Sequence, residues 1–465
     1  MPHTKIIVLD DDPTGSQTVH SCLLLTRWDP ATLQGALLDD APLFFVLTNT
    51  RGMDAARAAA VTGEVCANLR LALADLAAGG RTIQPILVSR SDSTLRGHYP
   101  VETDVMAETL GPFDAHFLVP AFFEGGRSTR DSVHYLKVDG VPTPVHETEF
   151  ARDSVFGYRH SYLPDYVEEK TRGRIPAGQV ERFLLADLAP GREDALLARL
   201  MALSGNRCCV VDGKDQADLD RFAAAVRRAS AAGKRFLFRS AASLLTALAG
   251  LPPQPVTAAA MGRYVRDGRP GAVLVGSHVQ KTTLQLKRLL AEPGVRGLEV
   301  DVDRILPERA SLLAEVLAQA AAAHRQDCTP VIYTSRVERQ FASQAERLAF
   351  GEAVSAFLMD VVRGLPPGLG FLVSKGGITS NDVLSDGLAL ATSRVLGQVL
   401  PGCSMVRCPA DHPRFPDLPV VIFPGNVGDE NALATVHRRL APKPAITGQA
   451  CATRHNGVHE SCVPV

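Results

Sequence analysis

The 465-residue chain has almost no net charge, 49 basic side chains against 50 acidic ones leaving −1. No overall field therefore draws it to nucleic acid or to an acidic membrane surface, and an anionic ligand needs a local positive site. Uncharged apolar stretches of about 18 residues are missing, which excludes an apolar membrane-spanning helix. The start, MPHTKIIVLDDD, reaches acidic residues after one short apolar run and lacks the apolar core and cleavage site of a secretory signal. The nine cysteines, an odd number, are scattered without a CxxC pair. Buried thiols in a reducing compartment suit them better than a disulfide framework, so a cytoplasmic protein is expected. No internal repeat of about 20–50 residues is visible, which excludes solenoids and propellers. Neither GxxxxGK[ST] nor GxGxxG occurs, so the chain is neither a P-loop protein nor an ordinary Rossmann dehydrogenase.

What is present is a globular composition, 46% hydrophobic and 21% charged, long enough for two large domains at roughly 150 residues per domain-equivalent. Short β-rich apolar runs alternate with Ala/Leu-rich helical stretches, which predicts an α/β fold with helices on a mostly parallel sheet. Strands are predicted at Lys5–Leu9, Leu43–Leu47, Pro85–Val88, His116–Val119, Cys208–Val211 and Arg235–Phe238. Helices are predicted at Asp54–Ala78 and Gln216–Ala231. The Pro/Gly-rich stretch Leu251–Gly271 has no period of either kind and reads as a connection able to act as a hinge. Beyond it the alternation restarts, with strands at Ala272–Val275, Val331–Tyr333, Gly370–Val373 and Val420–Phe423. Helices there fall around Lys281–Leu290, Ala310–Ala323 and Gln344–Val362. The expected architecture is two lobes, each a mostly parallel sheet flanked by helices, at 1–250 and 272–440, with a ligand cleft between them and a tail at 441–465. Phe122–Arg174 breaks the rhythm and reads as an insertion with short strands, or a lid. In the tail, Cys451, His455, His459 and Cys462 are zinc-type ligands at short spacings, but the segment lacks apolar periodicity and reads as frayed.

The first strand ends in Asp10, Asp11 and Asp12, before Pro13-Thr14-Gly15. In an open parallel sheet the carboxyl end of a strand opens onto the ligand crevice. Three adjacent carboxylates need a metal, a cation or a raised pKa to be tolerable there, although Asp10 or Asp12 also suits a simple helix cap. After the Pro85–Val88 strand, Ser89-Arg90-Ser91-Asp92-Ser93-Thr94-Leu95-Arg96-Gly97 packs two arginines among hydroxyls. Guanidinium forks grip carboxylates with two hydrogen bonds, so Arg90 and Arg96 are candidates for holding a sugar acid. In the second half Gly276-Ser277-His278, Gly376-Gly377-Ile378-Thr379-Ser380 and Pro424-Gly425-Asn426-Val427-Gly428 each follow an apolar run and precede a helical stretch. Bare amides arranged in this way hold phosphate. Lys281, Lys375, His278 and His412 lie near those loops, and Arg239 and Ser240 follow the Arg235–Phe238 strand and are expected to line the cleft.

Together DDDPTG (10–15), DSTLRG (92–97), GSHVQKTTLQ (276–285), GGITS (376–380) and FPGNVGDENA (423–432) resemble the four-carbon acid sugar kinase family, in order and over most of the chain. The resemblance implies an N-terminal acid-sugar domain and a C-terminal nucleotide domain, with ATP between them and Mg2+ offsetting its charge. It implies ATP contacts at Ser277, Gly376, Gly377, Ile378, Thr379 and Gly425, and acid-sugar contacts at Asp11, Asp12, Asp92, Ser93 and Arg96. Phe122–Arg174 is longer than in compact members, which suggests a divergent branch. The expected reaction is phosphorylation of a hydroxyl on a 3-oxo-tetronate or tetronate, with Asp12, or Asp11 in its place, orienting that hydroxyl and taking its proton. A nucleotide-responsive binding protein without phosphotransfer is the alternative, and a symmetric homodimer is an expected assembly.

Overall fold

The strands of the first half are β1 (His3–Asp10), β2 (Leu23–Leu25), β3 (Leu43–Leu47), β4 (Ile83–Arg90), β5 (Ala115–Val119), β6 (Arg127–Arg130), β7 (Val133–Val138), β8 (Val141–Pro144), β9 (Glu181–Phe183), β10 (Arg207–Val211) and β11 (Phe236–Ser240). Those of the second half are β12 (Ala272–Val275), β13 (Val295–Val300), β14 (Thr329–Thr334), β15 (Leu372–Lys375), β16 (Thr392–Leu400), β17 (Cys403–Arg407) and β18 (Pro419–Phe423). They come from a computed structural model that describes residues 3–276, 279–336, 339, 341, 343–425 and 427–442. The central strands carry unbroken apolar runs because both of their faces are covered: Ile6–Leu9, Leu43–Leu47 and Ile86–Val88 are all buried. One cover is the helix Ala55–Ala78, capped by Asp54 through Arg57 N–H at 2.8 Å. Its Val65, Leu69, Ala72 and Leu76, spaced by three and four residues, pack on Ile7, Leu9 and Phe44.

The expectation of one sheet per lobe needs correction, because hydrogen bonds join both halves into one sheet of fifteen strands. In the first half β3, β1, β4, β11, β5, β10 and β9 are parallel; in the second, β13, β14, β12, β15 and β18 are. The seam is the three-residue β2, parallel to β3 on one side and antiparallel to β16 on the other. Arg394 of β16 reinforces it with two hydrogen bonds to Asp39, at 2.9 and 2.6 Å. Side chains from β1, β4, β12 and β18 belong to one hydrophobic cluster, so the core also runs through.

Six steps separate β1 from β15 in this sheet. A twist of about 20–25° per strand turns β15 by roughly 120–150° relative to β1. That rotation brings the carboxyl ends of two oppositely running strand sets toward the same side. The loop after β1 spans the remaining distance: Ser16 Oγ lies 3.4 Å from Ser404 Oγ on β17.

Leu251–Gly271 packs onto the second half. Met261 is fully buried, Gln254 exchanges hydrogen bonds with the backbone of Gln398, and a Cβ on Gly262 would come within 2.5 Å of the Arg439 carbonyl. Phe122–Arg174 contains the separate antiparallel sheet β6-β7-β8 and the helix Leu163–Lys170. Cys22, Cys66, Cys208, Cys209, Cys403 and Cys408 are buried thiols. Among the described residues no helix is long and apolar enough to cross a membrane. Ser277, His278, Asn426 and the tail with Cys451, His455, His459 and Cys462 lie outside the described residues.

Candidate active site

Four parallel strands, β3, β1, β4 and β11, end side by side and deliver charged residues to one edge. After β1 the chain turns through Asp11 and Asp12, whose Oδ1 accepts from the Thr14 N–H at 2.9 Å and from the Thr14 hydroxyl. Gly15 closes the turn directly on Asp10, where any Cβ would overlap the carboxylate. After β3, Asn49 adopts a left-handed conformation (φ 53°) and the short turn Thr50–Gly52 presents Arg51. Arg51 grips Asp11 with Nη2 at 2.5 Å and Nε at 3.2 Å, and reaches Asp12 Oδ2 with Nη1 at 3.2 Å. Burial alone would raise the Asp12 pKa, but Arg51, Arg90 and the Thr14 donors outweigh it and hold the carboxyl below its ordinary value. Of the two aspartates nominated as base, Asp11 is 2% exposed with both oxygens on Arg51, whereas Asp12 is 21% exposed.

Arg90 ends β4 but does not reach the crevice. It is 4% exposed and turned toward Asp10 Oδ1 at 3.5 Å and Asp11 Oδ1 at 3.9 Å, which corrects its expected role as a ligand for the acceptor. Asp10 is fully buried, and neither of its oxygens makes a hydrogen bond among the described residues. Burial, helped by Asp11 and Asp12 and opposed by Arg90, pushes its pKa up to about 8 from an ordinary 3.8. The native state therefore holds a proton that the unfolded chain releases. This contribution to stability is complete below about pH 4 and is lost as pH rises toward 8, by up to about 1.4 kcal/mol per pH unit. Asp10→Asn keeps the neutral shape. Urea midpoints at pH 5 and pH 8 should differ less in that variant than in the parent, and equal differences would count against a protonated Asp10.

Asp92, after β4, accepts from Arg96 Nε at 2.8 Å and from the Thr94 hydroxyl. Burial raises its pKa, but the charges of Arg51 and Arg96 and these hydrogen bonds prevail, keeping it well below the usual carboxylate range. The inserted segment holds this loop. His134 bonds the Ser93 carbonyl at 2.8 Å, Tyr158 Oη donates to that of Thr94 at 2.6 Å, and Tyr166 Oη to that of Leu95 at 2.8 Å. Three consecutive carbonyls are thus fixed by buried side chains, and Leu95 is kept at φ 68°. The same segment sets Asp153 3.6 Å from Arg96 Nη1 and Phe150 under its guanidinium at 4.9 Å. Arg96 is therefore already flanked by two carboxylates. Ser93 is 8% exposed. Arg239, at the end of β11, bonds Ser89 Oγ at 2.7 Å and pairs with Glu102, both arginine and glutamate being buried. With Ser240, Ser91, Asp92, Tyr99 and Tyr166 it walls a cavity of about 20 Å³, room for about one water.

In the second half the parallel neighbours β14, β12, β15 and β18 likewise end at a common edge. There Gly276, Gly376, Gly377, Thr379 and Gly425 line a cavity of about 430 Å³, within the usual size for small-molecule sites. Gly376 sits at φ 128°, open only to glycine, and the chain turns there into the helix Gly377–Asp382, which includes the backbone of Ile378. A Cβ on Gly276 would meet Thr379 Oγ1 at 2.5 Å, so that glycine makes room for the neighbouring loop. Lys375 does not face the cavity as a phosphate partner would. It is fully buried and donates to the carbonyls of Pro424 at 2.6 Å and Gly425 at 3.1 Å, with burial lowering its pKa to about 8. His412 is likewise occupied, by the Leu388 carbonyl at 2.8 Å. The far wall carries Arg339 over the Phe350 ring at 4.6 Å, with Phe341 and Phe350 5.3 Å apart. The two halves meet at Asp12: a Cβ on Gly377 would lie 3.7 Å from Asp12 Oδ2.

Comparison with known proteins agrees with this layout. Residues 6–248 match a sugar-binding N-terminal domain and residues 272–433 a nucleotide-binding C-terminal domain. The chain belongs to the four-carbon acid sugar kinase family. Among relatives in that family, it is 33% identical over 141 residues to a D-erythronate kinase of Heliobacterium modesticaldum, an alignment covering 30% of each chain. It is 31% identical over 229 residues to a D-threonate kinase of Bordetella bronchiseptica, covering 47% of this chain and 49% of the other. The chain thus spans about half the length, or less, of the curated relatives it matches. Two solved structures share the fold over nearly the whole chain. One is a Salmonella typhimurium LT2 protein (TM-score 0.67, 21% identity, covering 94% of this chain and 99% of the other), the other a Haemophilus influenzae protein (TM-score 0.62, 17%, 93% and 100%). In this member of the acid sugar kinase family, the residues missed in the sequence are Arg51, Glu102, Asp153, Phe341 and Phe350. Arg51 alone carried a usable signal, since it follows a predicted strand parallel to the one that ends in the aspartates.

Proposed function

We propose that the protein is an ATP-dependent kinase that phosphorylates a hydroxyl of a small, four-carbon-type sugar acid such as a tetronate or 3-oxo-tetronate. The observation that carries this reading is the approach of Asp12 to Gly377, an ionised carboxylate against a glycine loop that lines the larger cavity. ATP in that cavity would present its terminal phosphoryl group toward Asp12, with the glycines leaving space for it. An acceptor hydroxyl beside Asp12 would be oriented and would give up its proton to the carboxylate. Phosphoryl transfer passes through a loose transition state, so positioning and charge do most of the work, and a carboxylate of low basicity suffices. Mg2+ would enter with the nucleotide. Among the described residues no three metal-ligating side chains converge, which fits an ion held mainly by phosphate and water, with an Asp carboxylate as the natural hard-oxygen contribution. The buried thiols suit a reducing compartment, and the cytoplasm is the proposed location.

The test is ADP release with a panel of D-threonate, D-erythronate, 3-oxo-tetronates and longer aldonates. At least one four-carbon acid should raise release well above the acid-free background. If ATP and an acid both bind but release never rises, the protein is a nucleotide-responsive binding protein instead.

A further inference from the structure

The acceptor side of the site is short of unpaired positive charge. Arg51 is held by Asp11 and Asp12, Arg96 by Asp92 and Asp153, and Arg239 by Glu102. Arg90 lies beneath, against Asp10. A sugar acid brings a further carboxylate, and a guanidinium already flanked by two of them offers it little net attraction.

Arg127 is different. It closes the turn Phe122–Arg127 by reciprocal backbone hydrogen bonds with Phe122, at 3.0 and 2.8 Å. That turn leaves the carboxyl end of β5, a parallel neighbour of β11. Its Phe123 N–H is anchored 3.0 Å from Ser243 Oγ, just after β11 ends. The turn therefore belongs to the sheet edge that carries Asp12, Asp92 and Arg239. It also faces the second half, since Glu124 accepts from Gln398 Nε2 at 3.0 Å. Arg127 itself is half-buried and has no ion-pair partner among the described residues. Nη1 donates to the Gly125 carbonyl of its own turn, and the guanidinium lies 5.9 Å over the Phe122 ring. Nε is buried with no hydrogen-bond partner. Desolvation lowers its pKa, and Asp92 and Arg96 are the charged groups it feels.

We propose that Arg127 receives the carboxylate of the acceptor. The proposal rests on the reading that the acceptor is an acid. With Nη1 committed to Gly125, the Nε–Nη2 edge is the side of the fork left for two parallel N–H···O bonds, the arrangement a carboxylate matches best.

Binding of D-threonate and D-erythronate is measured calorimetrically without ATP, in the parent, Arg127→Met and Arg127→Lys, with the amide of each acid as the uncharged control. Arg127→Met should weaken acid binding at least tenfold and amide binding far less, with ATP affinity unchanged; Arg127→Lys, which keeps the charge, should lose less. Unchanged acid binding in Arg127→Met, or an equal loss for acid and amide at an unchanged melting temperature, overturns the proposal. If the parent binds acid but never releases ADP, the kinase reading fails while the binding data still decide on Arg127. If the parent binds no acid at all, both fail.

Discussion

Asp12→Asn is expected to lower the turnover of acid phosphorylation by about 10²–10⁴-fold while ATP affinity stays within about twofold. The carboxamide keeps the shape and the hydrogen bond from Thr14 N–H, so the loop should stay folded. It loses the negative charge that orients the acceptor hydroxyl and takes its proton. At about 1.4 kcal/mol per tenfold, the effect corresponds to roughly 3–5 kcal/mol of transition-state stabilisation. The pH profile adds a separate check. Because Arg51, Arg90 and Thr14 hold Asp12 below its ordinary 3.8, it is ionised throughout the neutral range. Its protonation therefore gives no acidic limb above about pH 5. Turnover in Asp12→Asn within tenfold of the parent would remove Asp12 from the acceptor's side. Such a result would make the 3.7 Å approach to Gly377 a packing contact between the halves.

The local parts of this arrangement were legible in the sequence; the long-range parts were not. Leu43–Leu47 and Cys208–Val211 read as strands because continuous apolar runs of that length have few alternatives once turn residues bound them. The acids after β1 and the three glycine loops were legible for a related reason: parallel sheets put strand ends on one edge, so a motif at a strand end has a known address. The seam was hidden. β2 has three residues, and β16 and β17 carry polar side chains and a bulge near Gly397, so neither shows a clean period. What unites the halves is therefore pairing between segments far apart in the chain, to which no local pattern points. The surroundings of the two arginines were hidden for a similar reason. Arg90 and Arg96 look alike in SRSDSTLRG, but alternation along β4 turns Arg90 inward against Asp10, while Asp153 arrives at Arg96 from a segment far along the chain. Arg51 lay in a short polar run after β3 and is significant only because β1 and β3 are neighbours.

That adjacency makes Arg51→Met the substitution with the largest expected structural effect. It leaves Asp11, which is 2% exposed, without either of its guanidinium bonds, and it strips Asp12 of Nη1. Removing one partner of a buried pair strands the other charge at about 3–5 kcal/mol; because Arg51 is 19% exposed, the lower end is expected. Burial already holds the Asp11 pKa above its ordinary value with Arg51 in place, and losing Arg51 raises it further. The deficit should therefore shrink as pH falls from neutral toward about 4, as the stranded carboxylate takes up a proton and no longer needs a counter-charge. Arg51→Lys should recover only part of it, since an ammonium cannot fill both bonds to Asp11 and still reach Asp12. Pairing Arg51→Met with Asp11→Asn tests the physical cause directly. Once Asp11 is neutral the loss of Arg51 should be milder, so the double variant should be more stable than the sum of the single effects implies. Urea midpoints for the four proteins measure this coupling. Strict additivity, or a loss in Arg51→Met below about 1 kcal/mol, would mean that the guanidinium bridges the aspartates without compensating them.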